Sequence, residues 1–147
     1  MAAGSSACTP GAATTPSSLS RSPITGAVIV HVSLLKYGPS PSAFGTVAGY
    51  SPNPLTISTG SIVQFVNDDN FTHTASFVGT SGFPVGNPLS SATQTPSGAD
   101  LATAGWSSGN ILGGAFSQGF TASTAGTYYY GCFYHYGSPM RGVIVVQ

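Results

Sequence analysis

Charged side chains are nearly missing from this chain of 147 residues. It has three lysines and arginines, three aspartates and glutamates, and a formal net charge of zero, so that 4% of its residues are charged. Soluble proteins usually carry about 25%. Proteins that bind nucleic acid need clustered cations to neutralise phosphates, and the composition therefore excludes a nucleic-acid partner. Long-range electrostatic attraction to a protein partner should also be weak.

Long apolar runs are missing as well. No run of 18 apolar residues occurs, so the sequence predicts no transmembrane helix. Residues 1–22 are rich in Ala, Ser, Thr, Pro and Gly, which predicts a flexible tether with little apolar area to bury. Cys8 lies in this tether and is either a lipid attachment site, which would be the chain's contact with a membrane, or an incidental cysteine.

Cysteine is also scarce, because the chain has only two, Cys8 and Cys132, in unrelated sequence contexts. They do not form the paired pattern of a disulfide framework. Apolar residues make up 41% of the chain, and its length suits one domain with a substantial core. We therefore predict a single domain over residues 23–147.

Short strands separated by turns dominate this domain. Val28, Val30 and Val32 alternate with other residues, as in a strand that is buried on one face. Residues 79–115 are rich in Gly, Ser, Pro and Thr and form a predicted insertion, with a short helix over 98–106. The pattern predicts an all-β sandwich of seven to eight strands. The predicted strands lie within 26–32, 44–50, 51–67, 73–78, 116–122, 127–132 and 142–147.

Four side chains could bind one metal ion. Cys132-x2-His135-x4-Met140 places a thiol, an imidazole and a thioether between two predicted strands, and His73 begins a strand far upstream. A thiolate with two imidazoles and a weak thioether suits copper that cycles between Cu(I) and Cu(II). Each residue alone has an ordinary structural explanation, but their joint spacing predicts a copper site.

The segment GTYYYGCFYHYGSPMRGVIVV resembles the C-terminal copper loop of the cupredoxins, or type 1 blue copper proteins, with the loop length of plastocyanin and pseudoazurin. The segment PLTISTGSIVQFVNDDNFTHT is similar to the region of their first ligand. The resemblance implies a Greek-key β-sandwich with one copper at its end, His73, Cys132 and His135 as equatorial ligands and Met140 as the long axial ligand. Thr74 stands where many members have an asparagine that ties the two ligand segments together.

The resemblance also implies a function. We expect a monomeric one-electron carrier outside the cytoplasm, in the periplasm or at the cell surface, and not an enzyme. Its redox partners would dock near His135 on an apolar surface of Phe71, Tyr134, Tyr136 and Pro139. The alternative is an extracytoplasmic copper-binding or delivery protein without an electron-transfer role, although delivery sites usually contain more Met or Cys than this chain does.

Two other copper chemistries fit less well. A copper oxidase or nitrite reductase needs further histidines for a catalytic copper, often beside the thiolate cysteine, and this chain has three histidines in all. A binuclear copper domain needs a second cysteine four residues after the first, where this sequence has Tyr136.

Overall fold

The computed structural model describes residues 21–147, so the predictions for Cys8 and for nearly all of the tether lie outside the described residues. None of the helical residues in 21–147 belongs to a helix that could span a membrane. The boundary of the domain at residue 23 stays a prediction. The eight strands are β1 Val28–Val32, β2 Tyr50–Ser51, β3 Leu55–Ile57, β4 Ile62–Asn67, β5 Ser76–Gly79, β6 Phe120–Thr121, β7 Gly126–Gly131 and β8 Arg141–Val146.

The strands form two four-stranded sheets with the orders β2-β1-β4-β6 and β3-β8-β7-β5. Strand β1 is parallel to β4, and β3 is parallel to β8, while the remaining pairs are antiparallel. Neighbours in a sheet are therefore often distant in sequence, and the chain crosses repeatedly between the sheets. The predicted all-β sandwich of seven to eight strands is confirmed.

Strand β4 shows how the sequence forms the core. Val63 and Phe65 point between the sheets and are fully buried. Gln64 points to the other face, where the segment before β1 covers it: its amide accepts from the Ile24 N–H at 2.9 Å and donates to the Ser22 carbonyl at 2.9 Å. A buried polar side chain must find partners of this kind. The two faces of β4 are thus both buried, as its burial pattern shows.

Aromatic rings fill the space between the sheets, and one of them comes from the long connection between β5 and β6. Trp106 is 1% exposed, and its indole N–H donates to the Leu101 carbonyl at 3.1 Å. Its ring lies 4.8 Å from that of Phe120 and 6.0 Å from that of Tyr130. The predicted insertion therefore contributes a large buried side chain to the core.

The helix predicted over 98–106 was wrong. Instead, the backbones of Ser97 and Ser107 pair antiparallel across that segment. Gly98 and Gly105 have φ values of +80° and +83°, which a helix does not allow. A single 3-10 turn lies earlier in the connection, at Ser91–Gln94.

The strand predicted over 44–50 is present only at its end, where Tyr50 begins β2. Before it, Val47 forms an isolated bridge with Ser40, and Ala48 forms one with Arg141. The segment therefore crosses the end of the sandwich and does not run along a sheet.

Candidate metal centre

Three strands of the second sheet meet at one end of the sandwich. Ser76 at the start of β5 lies opposite Gly131 at the end of β7, and Gly131 lies opposite Arg141 at the start of β8. The residues just before β5, just after β7 and just before β8 are therefore neighbours. This register gathers His73, Cys132 and Met140 from distant parts of the sequence.

Three of the predicted ligand atoms lie close together. The Cys132 Sγ is 3.8 Å from the His73 Nδ1 and 3.7 Å from the His135 Nδ1, and the three atoms lie within 4.8 Å of one another. A metal ion with bonds of about 2.3 Å to sulfur and about 2.0 Å to nitrogen, at an angle of about 120° between them, would hold the two atoms about 3.7 Å apart. The three side chains therefore fit one metal ion between them.

Met140 ends the loop that carries Cys132 and His135. Its N–H donates to the His135 carbonyl at 3.0 Å, and its carbonyl accepts from the Cys132 N–H at 3.1 Å. The thioether side chain is fully buried against Gly49. A Cβ atom at Gly49 would lie 2.4 Å from the Met140 Cγ, and Gly49 has a φ of +83°, so only glycine fits there.

Thr74 makes the contact between the two ligand segments that an asparagine makes in the proteins this chain resembles. Its Oγ1 accepts from the Phe133 N–H at 2.9 Å, and so joins the His73 segment to the Cys132 loop. Its backbone N–H points at the Cys132 Sγ at 3.4 Å. The hydroxyl thus preserves the connection between the two ligand segments.

A buried carboxylate holds the outer nitrogen of His73. The Asp69 Oδ2 lies 2.8 Å from the His73 Nε2, and the side chains of both residues are at most 2% exposed. Burial raises the pKa of Asp69, but hydrogen bonds from Ser33, His73 and Leu34 outweigh it and hold that pKa below its usual value. Asp69 is therefore ionised at neutral pH and accepts the Nε2 proton, which leaves the Nδ1 lone pair free for a metal.

Cys132 and both histidines of the cluster are held in their neutral forms without metal. Burial raises the pKa of the Cys132 thiol, although the hydrogen bond from the Thr74 N–H acts in the opposite direction. This donor would stabilise a thiolate once a metal had displaced its proton. Burial lowers the pKa of His73 and of His135, so both imidazoles are available as uncharged ligands.

The surface around His135 differs in one respect from the prediction. Tyr134 is 40% exposed, and Phe71, His135 and Pro139 are half-buried, so these four residues lie at the surface. Tyr136 is only 2% exposed, and its hydroxyl donates to the Pro84 carbonyl at 2.7 Å. The prediction that Tyr136 belongs to the apolar docking surface was therefore wrong.

The third histidine does not join this centre. His31 is exposed on β1, and its Nδ1 lies 2.9 Å from the Asp68 Oδ2. It is therefore an ordinary surface side chain with a hydrogen-bond partner.

Comparisons with known proteins agree with this geometry. The sequence model of one protein family, the copper binding proteins of the plastocyanin/azurin family, matches residues 43–147. No curated protein matches the chain. Similar solved structures include an amicyanin mutant in its reduced Cu(I) form at pH 4, with 23% identity, a TM-score of 0.53 and coverage of 85% of this chain and 86% of amicyanin. Another is a purple cupredoxin from Nitrosopumilus maritimus, with 20% identity, a TM-score of 0.53 and coverage of 82% of this chain and 99% of that protein.

At these identities the solved structures show a shared fold, and the family match extends over most of the chain. The family is one of small electron carriers and not of enzymes, in agreement with the prediction. A cluster of two histidines, a cysteine and a methionine is typical of one type 1 copper ion. The chain belongs to the plastocyanin/azurin family of copper-binding proteins.

Proposed function

We propose that the protein is a one-electron carrier whose single copper is bound by His73, Cys132, His135 and Met140. The observation that carries this proposal is the cluster of the two Nδ1 atoms and the Sγ within 4.8 Å at the end of the sandwich. Met140 would supply the thioether, because its buried side chain belongs to the same loop as Cys132 and His135. When bound, the copper would accept and release one electron between Cu(I) and Cu(II).

The protein's own residues would keep the centre nearly unchanged during this cycle. Asp69 bonds the ring of His73, and Thr74 joins the two ligand segments by a hydrogen bond. Gly49 packs against the side chain of Met140. Ligands held in this way move little when the charge of the metal changes, so the barrier to electron transfer stays low. Half-buried His135 offers the shortest route from the metal to the surface.

Partners would dock on the apolar surface around His135. Phe71, Tyr134 and Pro139 belong to this surface, and we add Leu112, which is 39% exposed and follows the residue paired with His73. Members of the family usually act outside the cytoplasm. We propose that the protein acts as a monomer in the periplasm or at the cell surface.

Electron self-exchange between the Cu(I) and Cu(II) forms tests the carrier role and the apolar docking together. Asp69 is buried, and Asp68 is neutralised by Lys36 at 3.7 Å, so few free charges remain to be screened. We expect fast exchange in NMR line broadening, with a rate that changes less than about threefold between ionic strengths of about 10 mM and about 500 mM. Undetectable exchange would contradict the carrier role, and a steep salt dependence would contradict apolar docking.

Replacement of Gly49 by alanine tests the position of Met140. The new Cβ would collide with the Met140 Cγ, so we expect an altered EPR spectrum and a shifted reduction potential, because the axial ligand tunes both. Gly60→Ala is the matched control, since Gly60 has a φ of +92° and nothing within 4 Å of a new Cβ. Equal spectra and potentials in the two variants would show that Met140 is not an axial ligand.

A further inference from the structure

The connection between β5 and β6, residues 80–119, touches both segments that carry the proposed ligands. At the first segment it pairs with the backbone of His73: the Ile111 N–H donates to the His73 carbonyl at 2.8 Å, and the His73 N–H donates to the Ile111 carbonyl at 3.2 Å. Two residues after His73, the backbone of Ala75 makes two hydrogen bonds with Ser108. The Ser108 N–H donates to the Ala75 carbonyl, and the Ser108 hydroxyl accepts from the Ala75 N–H. The connection therefore acts as an extra strand beside His73.

At the second segment the same connection holds the residues on either side of His135. The Tyr136 hydroxyl donates to the Pro84 carbonyl at 2.7 Å. The Tyr134 hydroxyl donates to the Asn110 Oδ1 at 2.8 Å and accepts from the Gln94 Nε2 at 2.5 Å. The neighbours of His135 on both sides are thus fixed from outside the loop.

Two further contacts extend this attachment. The Asn87 Nδ2 donates to the Phe133 carbonyl at 2.9 Å. The Arg141 guanidinium lies 5.1 Å from the ring centre of Phe83 and 5.3 Å from that of Tyr136, so it links the connection to the end of the loop. Cation–π contacts of this kind add to the attachment without needing a second charge.

The connection can hold the loop from Cys132 to Met140 in place only if it is itself fixed to the rest of the domain. The structure shows that it is. Trp106 and Ile111 belong to the core, and the backbones of Ser97 and Ser107 pair with each other. Without the connection, the loop from Cys132 to Met140 would be held by its own turns, by Thr74 and by the packing of Met140 against Gly49. A flexible loop would let the His135 ring move when the charge of the metal changes.

We propose that residues 80–119 form a brace that positions the copper loop, residues 132–140. Tyr134 and Tyr136 are the two loop residues that anchor the loop to the brace. The expected consequence of the brace is a copper site whose ligands move little between Cu(I) and Cu(II), and this consequence rests on the proposed function. The brace itself is a property of the metal-free chain and can be measured there.

The first experiment uses amide hydrogen exchange of the metal-free protein. Tyr134→Phe and Tyr136→Phe each remove hydroxyl contacts with the brace and keep the ring, and the double variant removes both anchors. Tyr128→Phe is the control, because its hydroxyl donates to the Thr124 carbonyl at 2.8 Å, outside the loop. We expect exchange of the hydrogen-bonded N–H groups of His135, Ser138 and Met140 to rise about five- to tenfold in each single variant, and more in the double variant.

The second experiment uses the copper-loaded forms of the same variants. We expect broader EPR lines and faster loss of Cu(II) to a chelator in the double variant, and wild-type behaviour in Tyr128→Phe. Unchanged amide exchange in the double variant would overturn the brace. Increased exchange with unchanged EPR lines and unchanged copper loss would overturn its positioning role. If the wild-type protein formed no thiolate–copper centre, the proposed function would fail, while the metal-free measurement would still decide the brace.

Discussion

Cys132→Ser is expected to abolish the intense visible absorption of the copper-loaded protein. The band arises from charge transfer between a thiolate and Cu(II), and a serine hydroxyl stays protonated and is a poor ligand for copper. Cys132 is fully buried and is the free thiol of the described residues, with both imidazole Nδ1 atoms within 4 Å of its Sγ. Visible spectra at equal protein and copper concentrations measure the effect.

Two controls make this result specific. Cys8→Ser removes the other cysteine of the chain and should leave the band intact. Circular dichroism and thermal unfolding of the metal-free Cys132→Ser variant should match the wild type closely, because serine is nearly the same size as cysteine. A band that survives in Cys132→Ser, or that disappears in Cys8→Ser, would contradict the assignment of the thiolate.

Asp69→Asn is expected to raise the reduction potential by about 100 mV. The ionised Asp69 favours Cu(II) over Cu(I), because the oxidised site carries one more positive charge. A unit charge about 7 Å from the metal, at an effective dielectric constant of about 20, contributes about 2.4 kcal/mol. At about 59 mV for each tenfold change in a one-electron equilibrium, this corresponds to about 100 mV. Cyclic voltammetry at one fixed pH measures the shift.

The neighbouring aspartate provides the matched control. Asp68 bonds His31 and lies near Lys36, its side chain is 22% exposed, and no hydrogen bond joins it to His73. Asp68→Asn removes the same charge one residue away, but water and its cationic neighbour already screen that charge. We expect a much smaller shift than in Asp69→Asn. Equal shifts in the two variants, or no shift in either, would rule out a specific role for Asp69.

The residues that carry local patterns could be predicted from the sequence. Alternation in β1 and the spacing of Cys132, His135 and Met140 need only a few neighbouring residues, and cysteine and methionine are rare in this chain. The sandwich and the copper site follow from these patterns. His73 was predicted as a ligand, but the pairing of Ser76 with Gly131 that brings it to the loop joins residues distant in sequence and could not be predicted.

The remaining features depend on distant contacts. Asp68 and Asp69 are adjacent and identical residues, yet the Asp68 side chain is 22% exposed and bonds His31, whereas Asp69 is buried against His73. Tyr136 looked like a surface aromatic because nothing nearby in sequence shows that Pro84 covers it. The long connection was predicted only as an insertion with a short helix, because its small polar residues give no sign of the pairing of Ile111 with His73.

The most direct test of the copper centre is the stepwise addition of Cu(II) to the metal-free protein, followed by visible absorption and EPR. We predict an intense thiolate-to-copper band that rises linearly and stops at about one equivalent of copper, with the small copper hyperfine splitting of a type 1 site. One equivalent of a one-electron reductant should bleach the band, and reoxidation should restore it. A protein that stays colourless, or that shows only the weak absorption of copper bound by nitrogen and oxygen, would contradict the account.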